Sequence, residues 1–148
     1  MKRIIIIFIL ATIAITAYSQ CNQPYKAFNT FAKDTTAFLR YNFKERADCY
    51  KGKTIAYILS DLQLKPISFT ILYSTYTGKY KGIRIFIDNN KWYESPTRKA
   101  QYIYIYWSEL LNNQEIANLV KNYDNDIWIQ KHYDFFKNMV VGRVAYYE

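Results

Sequence analysis

Six residues constrain this chain more than any others: Tyr102-Ile103-Tyr104-Ile105-Tyr106-Trp107 alternate without a break. Successive side chains of a β-strand point to opposite faces, so Tyr102, Tyr104 and Tyr106 share one face while Ile103, Ile105 and Trp107 share the other. The helical period of 3.6 would mix the two sets on every side. β-Branched and aromatic residues also suit a pleated surface. This strand has an apolar side and a tyrosine side, and it requires partner strands.

The partners are legible upstream. Ile67, Phe69, Ile71 and Tyr73 alternate with Ser68, Thr70 and Leu72, and Thr77-Gly78-Lys79 supplies a turn into a second strand. That strand puts Ile83, Ile85 and Ile87 on one face and Arg84, Phe86 and Asp88 on the other, with Asp88-Asn89-Asn90 as its stop. Residues 139–146 read as a closing strand. Helical spacing flanks this core. Phe28, Phe31, Ala32, Thr35, Phe38, Leu39 and Phe43 predict a helix over about 24–46 with Pro24 in its first turn. Gly52 breaks the chain, and Ile55, Ile58, Leu59 and Leu62 predict a second helix over 54–62 that Pro66 cannot continue. Asn112 and Glu115 mark a capped start for a helix carrying Ile116, Leu119, Val120 and Tyr123. Trp128, His132 and Phe135 predict a fourth, over 126–138. The class is α+β: a single domain with a mainly antiparallel sheet of about four strands and helices packed on one face.

The N-terminus reads as an export signal. Lys2-Arg3 precede an apolar run from Ile4 to Ala17, and Ala17-Tyr18-Ser19 fits a processing site. The run is shorter than the roughly 20 residues of a membrane span, and no other stretch is long and apolar enough to cross a bilayer. Cleavage after residue 19 turns 148 residues into a domain over 20–148, 129 residues long. Lys2 and Arg3 leave with the signal, so the formal charge falls from +8 to +6. The mature chain is expected to be periplasmic or extracellular. Its two cysteines, Cys21 and Cys49, then meet in an oxidising compartment and are expected to pair. Acylation of Cys21 is the competing fate, but Gln20 and Tyr18 stand where that processing wants a small residue and a leucine.

Familiar catalytic chemistry finds little to work with. Ala47-Asp48-Cys49-Tyr50-Lys51-Gly52-Lys53-Thr54 fits a loose phosphate-loop pattern, yet it follows a helix rather than a buried strand and has one glycine. A helix end, a glycine turn and a Thr54 cap explain it better. His132 is the single histidine, and its spacing between Trp128 and Phe135 is that of a packing residue. Neither a His-x-x-x-His nor a Cys-x-x-Cys spacing is present, so no metal or cofactor is expected. Ser60, Ser68, Ser74, Ser95 and Ser108 lack a G-x-S-x-G context. No spacing singles out a catalytic pair among Asp88, Glu94, Asp124, Asp126 and Asp134.

What remains is the tyrosine face. If the isoleucine face meets the helices, then Arg84, Phe86, Ser68 and Thr70 stand on the same outward side as Tyr102, Tyr104 and Tyr106. Tyrosine offers a large contact area at low entropic cost with a polar tip. The sequence therefore favours a non-catalytic, inhibitor-like binding domain whose site residues are Tyr102, Tyr104, Tyr106, Arg84 and Phe86, with another protein or an envelope glycan as partner. Two other classes compete: a small envelope-polymer hydrolase working through carboxylates, and a structural component that self-associates through the same face. Nucleic acid is not the expected partner, because the lysines are scattered and only Lys79, Lys81, Arg84 and Arg98, Lys99 cluster.

Overall fold

Alternation along the strands is realised as a four-stranded antiparallel sheet in simple sequence order: β1 (Ser68–Ser74), β2 (Lys79–Phe86), β3 (Tyr102–Leu111) and β4 (Val141–Tyr146). The computed structural model describes residues 21–87, 100–111, 114–121 and 127–147. The expected export signal, the expected Asp88-Asn89-Asn90 stop, the Arg98-Lys99 cluster, the expected Asn112 cap, Tyr123, Ser95 and the carboxylates Asp88, Glu94, Asp124 and Asp126 lie outside them. Helices α1 (Thr35–Arg40), α2 (Ile55–Leu62), α3 (Gln114–Lys121) and α4 (Gln130–Phe136) complete the α+β fold.

Register pairs Phe69 with Ile85, Ile85 with Ile103 and Ile103 with Tyr146; the next inward row joins Ile71, Ile83, Ile105 and Val144. Ile83, Ile85, Ile103 and Ile105 are fully buried. Phe38, Leu39, Ile55, Ile58, Leu62 and Phe136 from the helices are equally buried in the same core. Phe136 stacks on Trp107 at 5.9 Å and meets Phe69 edge-on at 5.8 Å, which seats α4 on the isoleucine side. The buried Trp107 indole keeps its polar group satisfied by donating to the Tyr80 carbonyl at 3.0 Å.

The first helix departs from its expected range of 24–46. A 3-10 turn at Phe28–Phe31 ends in left-handed backbone at Ala32 and Lys33, and α1 starts afresh with Asp34 accepting from the Ala37 amide at 3.0 Å. The apolar spacing runs through the break, so periodicity alone could not see it. The cap is the stronger signal, since an Asp at this position satisfies an amide that no helical carbonyl reaches. After α1 comes a π-helical turn, Tyr41–Glu45, then a 3-10 turn, Ala47–Tyr50. Pro24 lies in an extended arm, its carbonyl taking the Tyr41 hydroxyl at 2.9 Å.

The second helix begins as expected, with Thr54 accepting from the Tyr57 amide and Gln63 closing it in left-handed backbone ahead of Pro66. α4 starts at Gln130 rather than 126. The residues before it serve the sheet instead: Ile127 bridges to Ser68, and the Trp128 amide donates to the Ile67 carbonyl at 2.7 Å.

Candidate functional site

On the outward side of the sheet, register places Phe86 opposite Tyr102, Arg84 opposite Tyr104, and Gly82 opposite Tyr106. The alternation in β3 is realised as expected: Ile103, Ile105 and Trp107 are buried, while the three tyrosines are half-buried. The rings form a connected series. Phe86 meets Tyr102 at 5.5 Å, Tyr102 meets Tyr104 edge-on at 5.5 Å, and Tyr104 lies nearly parallel to Tyr106 at 6.2 Å. The Arg84 guanidinium lies over both Phe86 (4.7 Å) and Tyr102 (5.3 Å), an attraction between a cation and the electron-rich faces of two rings. All five expected site residues are thus brought together.

Two further members come from the end of the chain. Arg143 pairs with Tyr106 across β3 and β4, and the exposed Tyr147 brings its ring 5.3 Å from Tyr104. Burial raises the pKa of Tyr102, with Tyr104 adding to the rise and Arg84 opposing it. Tyr106 is raised likewise by burial, then by Tyr147 and Tyr104, with Arg143 pulling the other way. Burial thus disfavours ionisation of Tyr102 and Tyr106, and the row is a hydroxyl-tipped surface with a guanidinium near each end. Arg143 joins through register: two residues before Ala145, which lies opposite Tyr104, it shares that residue's side of β4, and the pairing of β4 with β3 is not written in the local pattern.

Elsewhere the phosphate-loop string, His132, Asp134 and Ser60 take structural roles. Around the loose phosphate-loop string, the Gly52 amide donates to Val141, the Lys53 amide to Tyr50 and the Ile55 amide to Met139. Amides so occupied cannot wrap a phosphate. Lys53 lies over the Tyr57 ring instead. His132 is buried, with its ring 4.5 Å from Phe69, and its Nδ1 accepts from the Ile129 amide at 3.2 Å, a cap for α4. Burial lowers its pKa against a smaller upward pull from the Ile127 backbone. Asp134 is exposed and pairs with Lys137 at 2.9 Å. Ser60 donates to the Tyr57 carbonyl. Among the described residues no group of three or more His, Cys, Asp or Glu gathers as metal ligands would, and no helix is long and apolar enough to cross a membrane.

Cys21 and Cys49 are joined. Beside them lies a buried polar cluster with no counterpart in the sequence reading. The Arg46 guanidinium donates to the Gln23 carbonyl at 2.9 Å, to Asn42 at 3.1 Å and to the Tyr50 hydroxyl at 3.3 Å. Tyr50 in turn donates to Asp61 at 3.2 Å, and Tyr25 donates to the Asp61 carbonyl at 2.7 Å. Desolvation raises the Asp61 pKa, while Tyr50 and Arg46 restrain the rise; the Tyr25 hydroxyl is pushed up to about 12, mainly by burial. A polar cleft of about 170 Å³ lined by Asn22, Gln23, Glu45, Arg46, Asp48 and Cys49 opens beside the bridge. These groups clamp the arm over 21–26 to the helices. No protein-family model, curated protein or solved structure matches the chain.

Proposed function

We propose that this protein is an exported, non-catalytic binding domain that engages a protein partner in an inhibitor-like way, through Tyr102, Tyr104 and Tyr106 with Arg84 and Phe86 as flanking anchors. The observation that carries this reading is the connected ring series from Phe86 through Tyr106, built on a sheet whose opposite face is filled by core residues. A platform fixed from behind loses little freedom on binding, and tyrosine and arginine are over-represented among residues that dominate interfaces. Export is supported by the basic and apolar leader pattern and by the Cys21–Cys49 bridge, a bond typical of oxidising compartments.

Affinity capture by the mature chain from its own envelope extract tests the reading. Tyr104→Ala should weaken retention of the captured partner by at least about 1 kcal/mol, the level that marks an interface anchor. Its thermal melt should stay close to wild type, because the side chain stands outside the core. Undiminished retention by a normally folded Tyr104→Ala would overturn the proposal.

A further inference from the structure

We infer that the partner presents an extended acidic peptide segment whose carboxylates bridge Arg84 and Arg143 across the tyrosine row; this rests on the binding role proposed above and adds the partner's chemistry. Charge complementarity carries it. Among the described residues, Ser68, Thr70, Leu72, Gly82, Phe86 and Ala145 hold the register positions beside the row, and none is acidic. Neither arginine has a carboxylate partner among the described residues, and the buried Arg84 Nε has no hydrogen-bond partner there. The rings of Phe86 and Tyr102 hold the Arg84 guanidinium without neutralising it. At the other end Arg143 is exposed and acts electrostatically on Tyr106. Arginine's planar fork suits a carboxylate at each end.

The spacing selects an extended peptide. Arg84 pairs with Tyr104 and Arg143 with Tyr106, so the two lie two strands and two residues apart, roughly 12 Å between Cα atoms at ordinary sheet spacings. An extended peptide rises about 3.3 Å per residue, so acidic residues four apart fall on one side at about 13 Å. The intervening side chain on that side would rest on the parallel Tyr104 and Tyr106 rings. Adjacent acidic residues would point to opposite sides and reach one arginine at a time.

Fluorescence anisotropy with two labelled nonapeptides of identical composition tests this on the full mature chain, one with its two glutamates four positions apart and one with them adjacent. The spaced peptide should bind about fivefold or more tightly than the adjacent one, and Arg84→Gln or Arg143→Gln should each remove about fivefold, whereas Lys51→Gln in the exposed turn after Ala47–Tyr50 should change nothing. Equal binding of the two peptides, an equal loss with Lys51→Gln, or binding of a uronic-acid oligomer in place of either peptide would overturn the inference. Failure here is separable from failure of the binding role. Capture lost in Tyr104→Ala but kept in both arginine variants leaves the face as the site and removes the acidic bridge; capture kept in all three removes both.

Discussion

A single methyl group at Gly82 would meet the backbone of the neighbouring strand. A Cβ there stands 2.3 Å from the Ile105 carbonyl oxygen and 2.9 Å from the Tyr106 Cα, atoms that cannot swing aside as a side-chain tip would. Gly82→Ala should therefore destabilise by at least about 1–3 kcal/mol, the usual range for overpacking, and a urea titration checks it. His132 makes a second prediction at this scale. Burial holds its folded pKa below the ordinary value of 6.5, so the unfolded chain takes up its proton first as pH falls. Stability from the neutral ring is complete above about pH 6.5 and is lost as pH drops below it. Melting temperature should decline on acidification through that window in the wild type and stay flatter in His132→Gln, which keeps an acceptor for the Ile129 amide. Asp61 has the opposite sign: its raised pKa favours the fold at low pH, and that contribution fades as pH rises through the folded value. Sequence spacing was enough to assign His132 to packing. Its capping role was not legible, because it depends on the loop at Ile129 turning back toward the ring.

Among the elements, the arm over 21–26 depends most on contacts distant in sequence. It is held by the Cys21–Cys49 bridge, by Arg46 on the Gln23 carbonyl, by Asn42 on the Lys26 carbonyl and by Tyr41 on the Pro24 carbonyl. Opening a loop of separation 28 should cost roughly 3–4 kcal/mol in the chain-entropy account. Cys21→Ser with Cys49→Ser should lower unfolding free energy by about that amount, and a thiol assay on the unreduced wild type should find no free thiol. Pairing of the cysteines followed from their number and the expected compartment. The clamp of Arg46, Asn42, Tyr50 and Asp61 did not, because its hydrogen bonds join residues 4 to 36 positions apart and no single local pattern encodes them. The long first helix failed for the converse reason: local apolar spacing continued through Ala32 and Lys33, where the backbone turns left-handed. The strands were the most legible elements, since a period of two in Ile83, Ile85, Ile103 and Ile105 leaves only one way to bury all four.

For the whole molecule, what matters is that one sheet divides two environments. Inward, isoleucine and aromatic side chains meet the helices; outward, a row of tyrosines runs between two arginines. Five of the seven residues on that outward row were legible from alternation alone. Arg143 and Tyr147 join it only because β4 pairs with β3, a matter of strand order that the sequence does not state. The division predicts that neighbours along β3 should fail in different ways. Ile105→Ala removes fully buried volume and should cost about 2–5 kcal/mol of stability. Tyr104→Ala should leave stability nearly intact and strike binding. The most direct measurement is retention of the captured partner by Tyr104→Ala, read beside its thermal melt: a native-like melt with retention weakened about fivefold or more is the expected result, and a native-like melt with wild-type retention would contradict the assignment of this face as the binding surface.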